Sequence, residues 1–192
     1  MDDQVNIGRG FDMRITETGR LLLRTLKLDD LDALMDIWGN EEVMKYCGGA
    51  GTRDRELRSL QYYITMQEER GFSPYLVLLK DTREVLGVCG FNPPHEEYDA
   101  ELMYHFSKTH WGRGYALEAA DACVKYARTF LKFRKIGASV DPDNIASQRI
   151  LEKIGFRFIG KKWFEDLKQD EFCYELEVQT SLENGLLTIA GE

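Results

Sequence analysis

The stretch "AELMYHFSKTHWGRGYALEAA" at residues 100–120 joins a strand pattern to a helix pattern through two glycines. Residues 100–107 are rich in apolar and aromatic side chains, which favours a strand, and an alanine-rich helical run begins at Tyr115. Gly112 and Gly114 lie directly before that helix, where glycine serves either a tight turn or a ligand that approaches bare backbone. Free N–H groups and the helix dipole make such an N-terminus suited to an anion. The stretch therefore predicts a strand, a glycine turn and a helix, with a phosphate group as a candidate ligand.

Two familiar phosphate-binding motifs do not fit this turn. A Walker loop requires G-x-x-x-x-G-K-[ST], which the sequence lacks. A dinucleotide-binding fingerprint requires a glycine three residues after Gly114, where Leu117 stands instead. From these residues alone, a structural turn and an anion site both stay open.

Charge and composition limit the class of protein. The 192 residues suit one domain, and the net charge of −8 argues against general nucleic-acid binding, which needs a basic surface. An acidic surface suits a cationic amine as substrate, although many acidic proteins are simply well solvated. The N-terminal sequence has no apolar leader segment and no run approaches 18 apolar residues, so we expect a cytoplasmic protein that does not enter membranes.

The four cysteines and three histidines show no metal-ligand spacing and no disulfide framework. We therefore expect no bound metal. Cys89 and Cys173 lie in apolar, strand-like runs and are predicted to be buried as small hydrophobic side chains.

Hydrophobic periodicity predicts the element order β-α-α-β-β-β-α-β-α-β-β. The strands are expected at 20–27, 75–80, 84–91, 100–107, 135–140, 157–164 and 172–179, and the helices at 28–40, 53–70, 115–131 and 144–156. The strand–helix–strand unit over 100–140 predicts a parallel pair with a right-handed crossover, whereas the hairpins are antiparallel. The fold class is thus α/β (α+β): one domain with a mixed, mostly antiparallel sheet, one parallel strand pair and flanking helices. The expected boundaries are an N-terminal extension at 1–18, the domain at 19–178 and a C-terminal tail at 179–192.

Three motifs in a fixed order resemble one known family. "WGRGYA" (111–116) matches the pyrophosphate loop [QR]-x-x-G-x-[GA], with Trp111 in the Gln/Arg position. "NIASQRILEKIGF" (144–156) resembles the helix pattern N-x-x-S-x-x-x-x-x-K-x-G-F, and "RLLLRTL" (20–26) with "EEVMKYCGG" (41–49) is the third match. The sequence resembles the GNAT superfamily of acetyl-CoA-dependent N-acetyltransferases, and most of all the branch of the ribosomal-protein-alanine N-acetyltransferases.

The resemblance implies acetyl-CoA as co-substrate and a set of residues that hold it. Main-chain groups of Tyr104 to Phe106 would pair with the pantetheine arm, and the amides of Gly112 to Leu117 would hold the pyrophosphate. The implied cofactor-binding residues are Tyr104, His105, Phe106, Trp111, Gly112, Arg113, Gly114, Tyr115, Ala116, Leu117, Asn144 and Ser147. Four cations are candidates for the 3′-phosphate or are simply solvated surface charges: Lys108, Arg113, Arg149 and Lys153.

The resemblance also implies direct acetyl transfer to a primary amine. Glu101 is the expected base, unless it only faces solvent or forms an ion pair, and Ser147 is the expected acid for the leaving sulfur. Reserve bases are Glu96, Glu97 and His105, and reserve proton donors are Tyr104 and Tyr115. Asn144 is equally suited to cap the helix that follows, with Ser147 as the third helical residue.

The sequence leaves the chemical class of the acceptor open. The branch usually carries Gly-Tyr-Trp after the strand glutamate, where this chain has Met103, Tyr104 and His105. A protein N-terminus is the first candidate acceptor, and an aminoglycoside, amino acid or polyamine is the alternative. A non-catalytic acyl-CoA-binding module of the same fold stays open, as does the choice between monomer and homodimer.

Overall fold

One open sheet of eight strands carries the site. The structure is a computed structural model and describes residues 13–94, 97–165 and 167–178. The strands are β1 (Arg14–Glu17), β2 (Leu21–Thr25), β3 (Pro74–Leu79), β4 (Val85–Asn92), β5 (Ala100–Phe106), β6 (Lys135–Val140), β7 (Arg157–Phe164) and β8 (Gln169–Glu177). The helices are α1 (Leu31–Trp38), α2 (Arg53–Arg70), α3 (Tyr115–Tyr126) and α4 (Ile145–Lys153).

The strand order is β1-β2-β3-β4-β5-β6-β8-β7. All neighbours pair antiparallel except β5 and β6, which are parallel and are joined through α3. This topology confirms the predicted mixed sheet with one parallel pair and flanking helices. The strand β1 was not predicted. It has four residues, the outer two exposed and the inner two half-buried, and so it lacks the apolar alternation of a core strand.

Two apolar layers cover the two faces of the sheet. On one face, Ala119, Ala120 and Cys123 of α3 pack against the strands, and their small side chains let the helix approach the sheet closely. On the other face, Leu34 of α1 and Leu60 of α2 belong to a second buried cluster. The two clusters therefore place α3 on one face of the sheet and α1 and α2 on the other.

The helix ends follow local backbone chemistry. The prediction for α2 is confirmed, with the Thr52 hydroxyl accepting from the Arg55 N–H and Gly71 ending the helix at a φ of 77°. The helix expected over 115–131 is regular only to Tyr126, and Ala127–Leu131 forms a π-helical turn that ends at Lys132 with a φ of 59°. A 3₁₀ turn over Leu28–Asp30 replaces the expected start of the first helix.

The burial of Cys89 and Cys173 agrees with their apolar, strand-like sequence context. Cys89 and Cys173 are buried, and the four cysteines are free thiols. Within the described ranges, no group of three or more His, Cys, Asp or Glu side chains is placed to hold a metal ion. In the same ranges, no helix combines the length and apolarity needed to cross a membrane.

Candidate active site

A gap opens in the middle of the sheet, between β5 and β6. The two strands pair only at Ala100–Ile136 and Glu101–Gly137, and then diverge. Within the described residues, no strand lies opposite the rest of β5 on this side. We call the space between residues 102–106 of β5 and residues 138–140 of β6 the β5–β6 gap. A cavity of about 850 Å³ occupies it and continues to the N-terminus of α3.

The main chain of β5 alternates between its partner β4 and the β5–β6 gap. The Ser107 N–H donates to the Leu86 carbonyl at 2.9 Å, and the β4–β5 register runs without a shift. In an antiparallel ladder, every second residue therefore turns its N–H and C=O groups away from β4, and here these are Leu102, Tyr104 and Phe106. The Tyr104 main chain is thus directed into the gap. The Phe106 carbonyl already accepts a hydrogen bond from the Trp111 indole at 2.7 Å.

The glycine turn lies at the far end of the cavity. Gly112 and Gly114 have φ values of 72° and 78°, in the left-handed region that strongly favours glycine. The turn therefore requires glycine for its backbone conformation. Gly114 is also the N-cap of α3, and no side chain of the described chain caps it, so the first amides of α3 keep their donors free for an anion. The turn and the anion site are compatible.

Tyr104 and Ser147 meet across the β5–β6 gap. The Tyr104 hydroxyl lies 2.7 Å from Ser147 Oγ and 3.1 Å from the Ser147 carbonyl oxygen. Burial raises the pKa of the Tyr104 phenol, which keeps it protonated. The phenol has one proton, so when it donates to Ser147 Oγ, the serine proton is free to point into the cavity.

Asn144 is the N-cap of α4, which is the structural role that the sequence offered beside cofactor binding. Its Oδ1 accepts a hydrogen bond from the Ser147 main-chain N–H at 3.1 Å. The cap thus uses the backbone of Ser147 and leaves its hydroxyl to Tyr104. Asn144 and Ser147 both line the cavity.

Glu101 lies where two cavities meet. It lines the main cavity and also a smaller one of about 360 Å³, bounded by α2 and the end of β4. The Tyr63 hydroxyl donates to Asn92 Oδ1 at 3.1 Å, and both residues line the two cavities with Glu101. This position suits a group that receives a proton from an acceptor entering past α2. Of the reserve bases, Glu97 is exposed and lines neither cavity, and Glu96 lies outside the described residues.

His105 is among the residues that line the cavity, but its main chain is not directed into the β5–β6 gap. It follows from the β5 alternation that its backbone faces β4. Its Nδ1 atom is buried and, among the described residues, has no hydrogen-bond partner. Burial lowers the pKa of the imidazole to about 4, so the ring is neutral at pH 7 and is a weak proton acceptor.

The other predicted cofactor residues divide into two groups. Those that line the cavity are Tyr104, His105, Phe106, Trp111, Gly112, Gly114, Tyr115, Ala116, Leu117, Asn144 and Ser147. Arg113 is exposed and is not among the lining residues. Of the candidate cations, Arg149 and Lys153 line the cavity, whereas the Lys108 ammonium pairs with the Glu42 carboxylate at 2.5 Å.

Sequence reasoning missed several groups that line the cavity. Tyr63 and Asn92 come from elements outside the quoted motifs, and Cys47 and Glu171 come from a loop and from β8. Burial raises the pKa of the Cys47 thiol to about 11, and the charges of Glu171 and Asp141 add to this effect. Only their three-dimensional proximity identifies these residues.

The comparisons with known proteins agree with this geometry. The family model described as "Acetyltransferase (GNAT) domain" matches residues 20–157, so the chain belongs to the GNAT acetyltransferases. The uncharacterized N-acetyltransferase p20 of Bacillus licheniformis is 33% identical over 151 residues, which cover 77% of this chain and 85% of that protein. An acetyltransferase of the GNAT family from Bacillus anthracis is 28% identical with a TM-score of 0.71, covering 86% of this chain and 98% of that one.

Two more distant structures share the fold alone. The ribosomal L7/L12 α-N-protein acetyltransferase RimL is 17% identical, with a TM-score of 0.75 over 89% of this chain and 97% of its own. The spermidine N-acetyltransferase of Vibrio cholerae, solved with CoA and spermine, is 20% identical, with a TM-score of 0.71 over 85% of this chain and 98% of its own. The chain is thus an acetyltransferase by family, and its acceptor is a separate question.

Proposed function

We propose that this acetyltransferase moves the acetyl group of acetyl-CoA directly to a primary amine, with a protein N-terminus as the first candidate acceptor. The observation that carries the proposal is the β5–β6 gap. There the Tyr104 main chain meets the hydroxyls of Tyr104 and Ser147 within one cavity. A main-chain donor and a hydroxyl donor at one point are what a thioester carbonyl and its departing sulfur require.

The cavity fits the parts of acetyl-CoA in order. The uncapped N-terminus of α3 and the open space beside Gly112, where an added Cβ would meet nothing within 4 Å, suit the pyrophosphate. The free edge of β5 suits the amides of the pantetheine arm, which would take the place of a missing strand. Arg149 and Lys153 of α4 add positive charge along the same cavity.

The proposed chemistry uses three groups of this chain. The amine nitrogen bonds to the acyl carbon while the carbon–sulfur bond breaks, and Glu101 receives the proton that the amine loses, directly or through water. The Tyr104 N–H stabilises the negative charge that develops on the carbonyl oxygen. The Ser147 hydroxyl gives its proton to the departing sulfur, and the Tyr104 phenol stays protonated and stabilises the serine oxygen through the 2.7 Å hydrogen bond. Water then returns a proton to Ser147 as Glu101 releases the one that it received from the amine.

The cavity lining carries more carboxylates than cations, which supports a cationic amine, and the Glu42 carboxylate is already paired with Lys108. Among the lining residues are the carboxylates of Glu42, Glu101, Asp141, Asp143 and Glu171. An ammonium group is attracted to such a site before it loses its proton. The second candidate acceptor is a small polyamine, which this acidity also suits; the spermidine acetyltransferase shares the fold.

The test separates a transferase from a binding module. The purified chain is incubated with acetyl-CoA and, in parallel, with peptides bearing a free α-amino group, with spermidine, with an aminoglycoside and with free amino acids. Release of free thiol above the amine-free rate with any of these supports transfer, and the most reactive class identifies the acceptor. Calorimetric binding of CoA without thiol release from any amine would instead support a non-catalytic module.

A further inference from the structure

Arg20 connects the β1–β2 turn to the glycine turn. Its Nη1 donates to the Arg113 carbonyl at 3.0 Å, between the two glycines of that turn. Its Nε donates to the Glu118 carboxylate at 2.7 Å, and Nη2 lies 2.6 Å from the same oxygen. The guanidinium carbon stands 4.5 Å from the centre of the Tyr115 ring. One side chain therefore contacts the turn and the first residues of α3 at three points.

The hairpin that carries Arg20 is itself well anchored. The Arg20 main-chain N–H contacts Glu118 Oε1 at 3.2 Å, and the Thr18 hydroxyl donates to that same oxygen. The Lys80 ammonium donates to the Thr18 carbonyl of this turn at 3.1 Å. The three residues after Arg20 are buried in β2, so the origin of the side chain is fixed. An arginine whose main chain is held in this way is preorganised. Its planar guanidinium fixes the directions of its hydrogen bonds and also carries a positive charge.

The charges of Glu118 and Arg20 affect anion binding at the N-terminus of α3. Burial alone would raise the pKa of the Glu118 carboxyl, but hydrogen bonds from Thr18 and Arg20 outweigh it and the pKa is lowered. Glu118 is therefore ionised in the first turn of the helix whose N-terminus faces the cavity. Arg20 neutralises a carboxylate that would otherwise repel a pyrophosphate.

From these contacts we infer that Arg20 is a positioning residue for the cofactor: it fixes the amides of residues 112–115 in the orientation that holds the pyrophosphate of acetyl-CoA. It acts from behind the turn, since Arg20 is not among the described residues that line the cavity. The inference rests on the proposed use of this turn for acetyl-CoA. It adds a residue of the β1–β2 hairpin, far from the turn in sequence, to the determinants of cofactor affinity.

The experiment measures CoA affinity and the kinetics of acetyl-CoA in Arg20→Met, which keeps an apolar side chain and removes every side-chain donor. The matched control is Arg14→Met, because Arg14 lies on the same hairpin and forms an exposed ion pair with Glu17 at 2.9 Å. We expect the Kd for CoA and the KM for acetyl-CoA to rise about tenfold in Arg20→Met, the order of one charge-assisted contact. At saturating acetyl-CoA, kcat should stay within about twofold, and Arg14→Met should match the wild type.

Two further variants separate the hydrogen-bond geometry of the Arg20 guanidinium from its positive charge. Arg20→Lys keeps the charge without the fork and should recover part of the affinity; it also serves as the test if Arg20→Met does not fold. The double variant Arg20→Met with Glu118→Gln removes both charges, and it should regain less than half of the lost affinity, because the Arg113 carbonyl stays unanchored. Full recovery would show that Arg20 only neutralises Glu118 and would overturn the inference.

Other results would also overturn it. Wild-type CoA affinity in folded Arg20→Met, or a fall in kcat with unchanged KM, contradicts a role in holding the cofactor turn. A wild-type chain that binds no CoA would refute the proposed function first, and this inference with it. The two failures are therefore distinguishable.

Discussion

Replacing Ser147 by alanine gives the sharpest test of the proposed chemistry, because the structure separates its hydroxyl from its helix cap. The cap joins Asn144 Oδ1 to the Ser147 main-chain N–H, which alanine retains. The lost contact is the 2.7 Å bond to Tyr104, and the Tyr104 hydroxyl keeps the Ser147 carbonyl at 3.1 Å. The free energy of unfolding should fall by about 1 kcal/mol or less, the net value of one neutral hydrogen bond.

The effect on rate should be larger than the effect on stability. A proton donor contributes at least about 100-fold to a rate, so kcat should fall by about that factor, or 2.7 kcal/mol in the activation barrier. The rate is measured as thiol release at saturating acetyl-CoA and amine, with the Kd for CoA by calorimetry, which should change little. Ser59→Ala is the control, since that hydroxyl donates to the Arg55 carbonyl within α2, away from the cavity.

Three outcomes would refute the reasoning about Ser147. A kcat within twofold of the wild type would remove it as the donor. A melting temperature lowered by more than about 4 °C would show that the hydroxyl has a structural role larger than one bond. A Tyr104→Phe variant with a far larger loss of kcat than Ser147→Ala would assign the donor to the phenol.

Three other perturbations test different parts of the site. Glu101→Gln should lower the rate about 100-fold at neutral pH and less as the pH approaches the pKa of the amine; normal kinetics, or a deficit that does not vary with pH, would exclude a base. His105 has a pKa lowered to about 4, so the unfolded chain binds the extra proton between pH 6.5 and 4. The free energy of unfolding in urea should fall through that window as the pH falls, and His105→Gln should lessen this slope; an unchanged slope would contradict the buried ring. Gly114→Val should cost about 1–2 kcal/mol more than Gly114→Asn in thermal unfolding, because asparagine tolerates the φ of 78° better; equal melting temperatures would contradict that strain.

Elements whose sequence signals lie within one continuous stretch of the chain were predictable. α2 has a capping threonine, helical spacing and a terminal glycine in one continuous stretch, and its bounds match the prediction. The parallel pair followed from a strand–helix–strand unit, since parallel neighbours need a long connection, which is usually a helix. β1 could not be predicted, because four half-buried residues acquire strand geometry only by pairing with β2.

The candidate site was predictable as a set of residues and not as a set of contacts. The glycine turn and Ser147 were found from motifs, but the 2.7 Å contact between Tyr104 and Ser147 joins residues 43 positions apart. The link from Arg20 to Glu118 spans 98 positions and was not predicted. Nor does spacing along β5 show that its pairing with β6 stops after Glu101, because that divergence depends on both strands.

The β5–β6 gap has a mechanical consequence for the whole molecule. It divides the sheet into a block of five strands and a block of three, which are joined by two residue pairs of β5 and β6 and by hydrogen bonds between Asp99 and Lys135. This junction has the fewest paired residues of the sheet, and it is therefore the most compliant part of the strand ladder, while one apolar core packs against both blocks. Tyr104 belongs to the first block, and Ser147 lies on α4, which follows the first strand of the second. Their hydrogen bond therefore spans the two blocks, and its length depends on how the blocks are placed relative to each other.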